Sequence, residues 1–216
     1  MDAVSYLLGK QSSGGGSSHD WSAIGYSDEP SFIKNGYDYA VEIKNDWIPA
    51  TSLQYKFQND YNLVFMPYVD TSTTTIMFGT FMGCVCLKEV ALLDTSNVTS
   101  TNAMFTTCYS LESVPKFNTQ NVTDMQSMFL NNFSLKDVPQ FNAPKVKYMN
   151  NMFNNCRSLS DASLDNILLM CINATSYSGT KTLSQLGLVS TYYPASRIQA
   201  LPHYQDFIDA GWTIGY

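Results

Sequence analysis

The stretch LLDTSNVTSTNAMFTTCYSLESVP, residues 92–115, is followed by KFNTQNVTDMQSMFLNNFSLKDVP, residues 116–139. The second stretch repeats the pattern of the first at a spacing of 24 residues, with no insertion or deletion. A fixed period of this size is typical of a solenoid, in which each copy forms one coil and neighbouring coils share a continuous apolar core. We therefore expect an α/β repeat solenoid.

The apolar positions of the pattern recur in every clear copy. They are Val90, Val114 and Val138; Leu93, Phe117 and Phe141; Val98, Val122 and Val146; Met104, Met128 and Met152; Phe105, Phe129 and Phe153; and Leu111, Leu135 and Leu159. A weaker earlier copy keeps Met66, Val69, Phe81, Cys84 and Leu87 in the same columns. The period thus predicts about four coils over residues 66–159.

Each coil divides into three short parts. The Leu-x-x-Val segment predicts a short strand, which pairs in parallel with the strand of the next coil. The Asn-Thr-x-Asn segment is typical of a turn, because its short polar side chains bond local backbone. Met125, Met128 and Phe129 have the spacing of one helical face, which predicts a short helical turn.

The flanking segments lack the period and are predicted to cap the coils. Residues 1–18 combine a short apolar peptide with the Gly/Ser tract QSSGGGSS, and residues 19–65 are interpreted as an N-terminal cap with a helix over 30–46. Residues 160–216 predict a helical C-terminal cap. Its helices are expected from Ser160 or Asp161 onward, over Leu183 to Leu188, and from about His203 to Ala210 before Gly211.

Charge and hydropathy exclude two kinds of partner. The net charge is -6 and the lysines are dispersed, whereas phosphate binding needs clustered positive charge, so we expect no nucleic-acid partner. No apolar run approaches the roughly 18 residues of a membrane span, so we expect no membrane insertion. The opening MDAVSYLLGK lacks a basic segment and a long apolar core, which predicts no signal peptide and synthesis in a cytoplasm.

The residues do not form a recognisable catalytic or metal motif. Phosphate-loop, dinucleotide, nucleophile-elbow and zinc-protease patterns are absent from the sequence, and no catalytic residue, metal or cofactor is assigned. Asp70, Asp94, Asn118 and Asn142 share one column. We interpret them as turn residues, whose side chains bond local backbone, and the alternative is that the column binds calcium.

The cysteines fit a reduced environment. Cys84, Cys108 and Cys156 share a column with Asn132 and are interpreted as small buried side chains. A disulfide between Cys84 and Cys108 in adjacent coils remains the alternative.

Aromatic residues mark a candidate surface. Tyr109, Phe133 and Arg157 share a column that varies where its neighbours do not. The candidate ligand or partner surface consists of Tyr109, Arg157, Tyr192, Tyr193, Tyr204, Trp212 and Tyr216. Aromatic groups of this kind bind sugars or proteins, while the alternative is that they pack the C-terminal cap.

The repeat resembles the BspA-like leucine-rich repeats, in particular the short NVTxMxxMFxxCxSL class of bacterial surface proteins and phages. This resemblance covers residues 66–159 and implies a leucine-rich-repeat-like fold, adhesion or partner binding, and no catalytic residues. The C-terminal stretch and the opening peptide resemble segments of fibre or appendage proteins in phages of gut Firmicutes. In those proteins such a peptide docks to the virion, which implies a docking role here for Val4, Tyr6, Leu7 and Leu8. The alternative is an unstructured terminus.

Together these patterns favour a non-enzymatic virion protein of a bacteriophage. Residues 1–10 would dock on other virion proteins, and the repeats would bind a host-surface glycan or protein or decorate the particle. A homo-oligomer would raise avidity, and the sequence does not fix the oligomeric state. The alternatives are a bacterial BspA-like adhesin or interaction module and, third, an enzyme with its site in the C-terminal cap.

Overall fold

The computed structural model describes residues 50–66 and 68–215. Within this part of the chain the strands are β1 (Phe65–Met66) and β2 (Glu89–Val90). They are followed by helices α1 (Asp161–Asn173), α2 (Ala195–Gln199) and α3 (Tyr204–Asp209). The predicted helix over 30–46 lies outside the described residues.

Parallel pairing joins residues that are one repeat apart. β1 pairs in parallel with β2, with Phe65 opposite Glu89. A second line of parallel bridges crosses five successive copies, each bridge joining residues 24 positions apart. The bridged residues are, in order, Ser52, Ile76, Ser100, Asp124 and Tyr148. The 24-residue copies therefore lie side by side, and we call residues 51–159 the repeat stack.

A column of phenylalanine rings runs through the interior of the repeat stack. Phe81 and Phe105 stack with centroids 5.3 Å apart, Phe105 and Phe129 at 5.7 Å, and Phe129 and Phe153 at 5.5 Å. These four rings are completely buried. The sequence period predicted that the last three would lie above one another, and they do. Rings offset-stacked at this distance add to the free energy gained by burying them.

The repeat stack begins earlier than residue 66. Phe57 stacks on Phe81 with a centroid distance of 5.4 Å, and its backbone N–H donates to the carbonyl of Thr80 at 2.9 Å. Residues 51–60 thus pair and pack as part of a further copy, so we place the start of the repeats before the predicted boundary at residue 66. Only Phe57 and Leu63 keep the repeat pattern here in the sequence, and backbone bonds between the copies supply the rest of the register.

The segment predicted as a short helical turn is a ribbon of turns. Ala103 and Thr107 have φ angles of 53° and 63°, a left-handed conformation that interrupts a right-handed helix. The N–H groups of Ala103, Phe105 and Thr107 donate to carbonyls of the next copy at 2.7–2.9 Å. Residues between them close local turns instead. The same two columns hold Gly79 and Gly83 in an earlier copy, which is a sequence signal for this conformation.

The buried cysteine column is bonded as well as packed. The thiols of Cys108 and Cys156 donate to the carbonyls of Phe81 and Phe129, each at 3.1 Å. Asn132 takes the same place and donates its amide to the Phe105 carbonyl at 2.9 Å. The cysteines are free, and burial raises the pKa of Cys156 to about 12.

Helix α1 closes the open edge of the last strand-like segment. The Ser160 N–H and the Ser163 hydroxyl both donate to the Lys136 carbonyl, at 3.0 and 2.8 Å. The Ser163 hydroxyl accepts from the Val138 N–H at 2.8 Å, and the Asn166 amide donates to the Val138 carbonyl at 2.9 Å. Side chains of α1 thereby satisfy backbone groups that a further strand would otherwise pair.

The other helices of the C-terminal cap agree in part with their predictions. The helices expected at 160 and near 203 are present as α1 and α3, and Gly211 has a φ of 82° after α3. The prediction of a helix over 183–188 is wrong. That segment forms turns, and the Leu186 carbonyl accepts from the Phe153 N–H at 2.8 Å. Hydrogen bonding to the last copy thus outweighs the helical spacing of the apolar residues in 183–188.

Truncating a stacked ring should destabilise the protein far more than truncating a surface ring. We expect Phe129→Ala to lower the free energy of unfolding by about 3–5 kcal/mol, because Phe129 is fully buried. The matched control is Phe133→Ala, on a half-buried ring four residues away, with an expected loss of about 1 kcal/mol. Chemical denaturation measures both, and equal losses would contradict the internal column.

Replacing Asn132 by the residue typical of its column should stabilise the protein. Asn132 is fully buried, and its Oδ1 has no hydrogen-bond partner among the described residues. We expect Asn132→Cys to raise the free energy of unfolding by about 1 kcal/mol, since it removes this unpaired acceptor and keeps a donor. Asn132→Ala, which keeps no donor, should destabilise. A destabilising Asn132→Cys would contradict the argument.

Thiol labelling should distinguish the buried cysteines from the exposed one. Cys86 is exposed, while Cys84, Cys108, Cys156 and Cys171 are buried. Since the thiolate is the reactive form and burial disfavours it, we expect one thiol to react with a disulfide reagent in the native protein. All five should react after unfolding. Fast native reaction of two or more thiols would contradict the burial of these four cysteines.

Candidate binding surface

One column of the repeat stack points outward directly beside the buried cysteines. Cys108 is buried, whereas Tyr109 is 41% exposed. Because every copy has the same length, the residues one repeat further on, Phe133 and Arg157, lie in line with Tyr109. Phe133 is half-buried and Arg157 is exposed. The repeat register therefore builds a row of large side chains on the surface.

The row is continuous in space and extends into the C-terminal cap. The rings of Tyr109 and Phe133 stack with centroids 5.0 Å apart and planes 7° apart. The Cζ atom of Arg157 lies 4.8 Å from the Phe133 centroid and 5.3 Å from the Tyr192 centroid. These two contacts are cation–π interactions. We call Tyr109, Phe133, Arg157 and Tyr192 the outer ladder.

A buried tyrosine anchors the end of the outer ladder. The hydroxyl of Tyr193 donates to the Cys156 carbonyl at 2.6 Å and accepts from the Leu159 N–H at 3.1 Å. Burial raises the pKa of Tyr193 to about 12. Since Tyr193 is tied to the last copy in this way, its chain neighbour Tyr192 is held over Arg157.

Arg197 supports the same anchor from α2. Its Cζ lies 5.3 Å from the Tyr193 centroid, and its Nη2 donates to the Leu159 carbonyl at 2.9 Å. Its Nε is paired with Asp161 at 2.6 Å. The C-terminal cap thus fixes the position of Tyr192 through several contacts, which makes the ladder a preorganised surface.

The structure separates the candidate surface residues into two groups. Tyr109, Arg157 and Tyr192 lie together in the outer ladder. Tyr193 and Trp212 are each only 1% exposed, so the expectation that they belong to an exposed surface is wrong. Both are aromatic residues that the cap needs for its own core.

The remaining candidates lie apart from the ladder or outside the described residues. Trp212 stacks on Tyr177 at 5.1 Å and on Phe207 at 5.9 Å, and half-buried Tyr204 lies 6.5 Å from Phe207. Tyr216 lies outside the described residues, as do the predicted docking residues Val4, Tyr6, Leu7 and Leu8. Phe133 was not among the candidate site residues, although its shared column with Tyr109 is visible in the sequence.

The acidic column is occupied by turn bonds. Asp70 and Asp94 accept from the N–H groups of Ser72 and Ser96 at 3.0 and 2.9 Å. The Ser72 hydrogen bonds lower the pKa of Asp70. This is the turn chemistry expected from the sequence. In the described part of the chain, the carboxylates, histidines and cysteines form no group of three placed to hold a metal ion.

The two aspartates of α1, Asp161 and Asp165, tie the C-terminal cap together. Asp165 accepts from the backbone N–H of His203 at 3.0 Å, and its other oxygen lies 2.7 Å from His203 Nδ1. Asp161 is the ion-pair partner of Arg197. Each carboxylate of α1 therefore joins α1 to a later segment of the cap. Among the described helices, none is long and apolar enough to cross a membrane.

Comparison with protein family models gives a match. The model of a family described as "Mycoplasma protein of unknown function, DUF285" matches residues 51–178. The match covers the repeat stack and ends beyond α1. The comparisons with curated proteins and with solved structures gave no significant match.

Proposed function

The chain belongs to the DUF285 family, and we propose that it is a non-enzymatic binding protein built as a leucine-rich-repeat-like solenoid. The parallel bridges at one-repeat spacing and the internal phenylalanine column support the solenoid part of this proposal. A solenoid offers long outward columns of side chains, and such surfaces serve recognition. The finer assignment to BspA-like repeats rests on the NVTxMxxMFxxCxSL pattern.

The outer ladder is the observation that carries the binding role. It places two tyrosines, a phenylalanine and an arginine in contact on the protein surface. Tyr and Arg are enriched among the residues that dominate binding energies, and exposed aromatic groups cost free energy unless a partner covers them. The ladder is also held in place by the cap, so little conformational entropy would be lost on binding.

We place this binding protein on a bacteriophage virion as a tail or head fibre or appendage. The support is the apolar peptide of residues 1–10 followed by the Gly/Ser tract, a composition suited to a docking peptide on a flexible tether. Other virion proteins would bind residues 1–10. The repeat stack would then face the host surface, as part of host attachment or of particle decoration.

The alternative setting is a bacterial surface or interaction protein. The description of the family names Mycoplasma, a bacterium, and this favours an adhesin encoded by a cell. The genes beside this one separate the two settings. Capsid, portal or tail genes favour the virion, whereas an isolated chromosomal position favours the adhesin.

Truncation of two ladder rings should weaken surface binding without unfolding the protein. We expect the double variant Tyr109→Ala/Phe133→Ala to bind intact host cells at least about 30-fold more weakly, since even one hot-spot residue costs about 2 kcal/mol. Flow cytometry with the labelled full chain measures this. Tyr148→Ala is the matched control, because Tyr148 is 50% exposed in another column. Equal binding by both variants would remove the ladder from the proposal.

The virion assignment has its own test. Deletion of residues 1–18 should leave the repeat stack folded and remove the protein from purified particles. Undiminished incorporation of the deleted chain would contradict the docking role of Val4, Tyr6, Leu7 and Leu8.

A further inference from the structure

Building on the proposed binding role, we infer that the outer ladder recognises an acidic peptide segment of a protein partner, with a carboxylate bound by Arg157. Arg157 is exposed, and among the described residues its guanidinium has no hydrogen-bond or ion-pair partner. Its N–H donors therefore face solvent. This distinguishes it from Arg197, whose donors are occupied by Asp161 and the Leu159 carbonyl.

The aromatic neighbours prepare Arg157 for such a contact. Phe133 and Tyr192 hold the guanidinium at 4.8 and 5.3 Å from their ring centroids, which limits its rotamers. A guanidinium offers a planar fork of donors that matches a carboxylate with two parallel hydrogen bonds. Because the fork is already positioned, binding a carboxylate loses less entropy than it would at a free arginine.

The stacking geometry favours a peptide over a sugar. Tyr109 covers one face of Phe133, and Arg157, one repeat further along the stack, covers the other. Sugar rings bind to open aromatic faces, whereas both faces of Phe133 are covered in this way. Ring edges carry partial positive charge and attract carbonyl and carboxylate oxygens. The edge of Phe133 and the guanidinium of Arg157 thus have the same polarity, which an extended acidic peptide complements.

The charge of the whole protein indicates that recognition is local. The net charge is -6, so long-range attraction does not bring an acidic partner to this surface. Selectivity must then come from short-range contacts at Arg157. A lysine at this position would keep the charge and lose both the planar fork and the stacking, so charge alone should not suffice.

The test uses two matched synthetic peptides, capped at both ends, of alternating Glu and Ser or alternating Gln and Ser. Fluorescence anisotropy with the full chain measures their affinities. We expect the Glu peptide to bind at least about tenfold more tightly than the Gln peptide, as one charge-assisted bidentate contact allows. Arg157→Lys and Arg157→Gln should each remove this preference, while Lys116→Gln, which removes an exposed charge elsewhere, should keep it.

Any one of four outcomes would overturn the inference. These are equal binding of the two peptides or binding of neither, an unchanged preference in Arg157→Gln, and tighter binding of an oligogalacturonate than of the Glu peptide. The last outcome would assign the ladder to an acidic glycan. Circular dichroism checks that each variant is folded. Failure here would leave the proposed binding role intact if Tyr109→Ala/Phe133→Ala still lowers cell binding.

Discussion

The backbone hydrogen bonds between neighbouring copies are the constraint on which the rest of the structure depends. The N–H groups of Phe105 and Phe129 donate to the carbonyls of Met128 and Met152, each at 2.9 Å, and alternate residues on either side do the same. Every donor meets its acceptor only if the copies have equal length. One inserted residue would leave buried polar groups unpaired, which costs more than any single side-chain contact restores.

Equal length has one consequence inside the protein and another outside it. Inside, Phe129 lies on Phe105, so apolar volume is filled by the same ring in copy after copy. Outside, Phe133 lies on Tyr109 by the same register. Stability and the candidate binding surface therefore arise from one geometric rule, although different columns carry them. This rule also explains why both faces of Phe133 are covered, one by Tyr109 and the other by Arg157.

The C-terminal cap completes both the repeat stack and the outer ladder. It closes the strand edge through Ser163 and Asn166, and it supplies Tyr192 as the last member of the outer ladder. The buried hydroxyl of Tyr193 connects the repeat stack to the ladder, because it is hydrogen-bonded to the last copy and thereby positions Tyr192. A binding surface that ends on a folded cap is more rigid than one that ends on a free chain terminus.

The sequence by itself determined the period, the buried columns such as Phe105 and Phe129, helix α1, and the turn role of Asp70. These features depend on local patterns, which a sequence carries directly. The tertiary structure decided that residues 51–60 belong to a further copy, that left-handed turns replace helical ones, and that Tyr192 joins the ladder while Tyr193 is buried. Each of these outcomes is set by hydrogen bonds or packing with a segment distant in the chain, so adjacent letters of similar chemistry do not distinguish them.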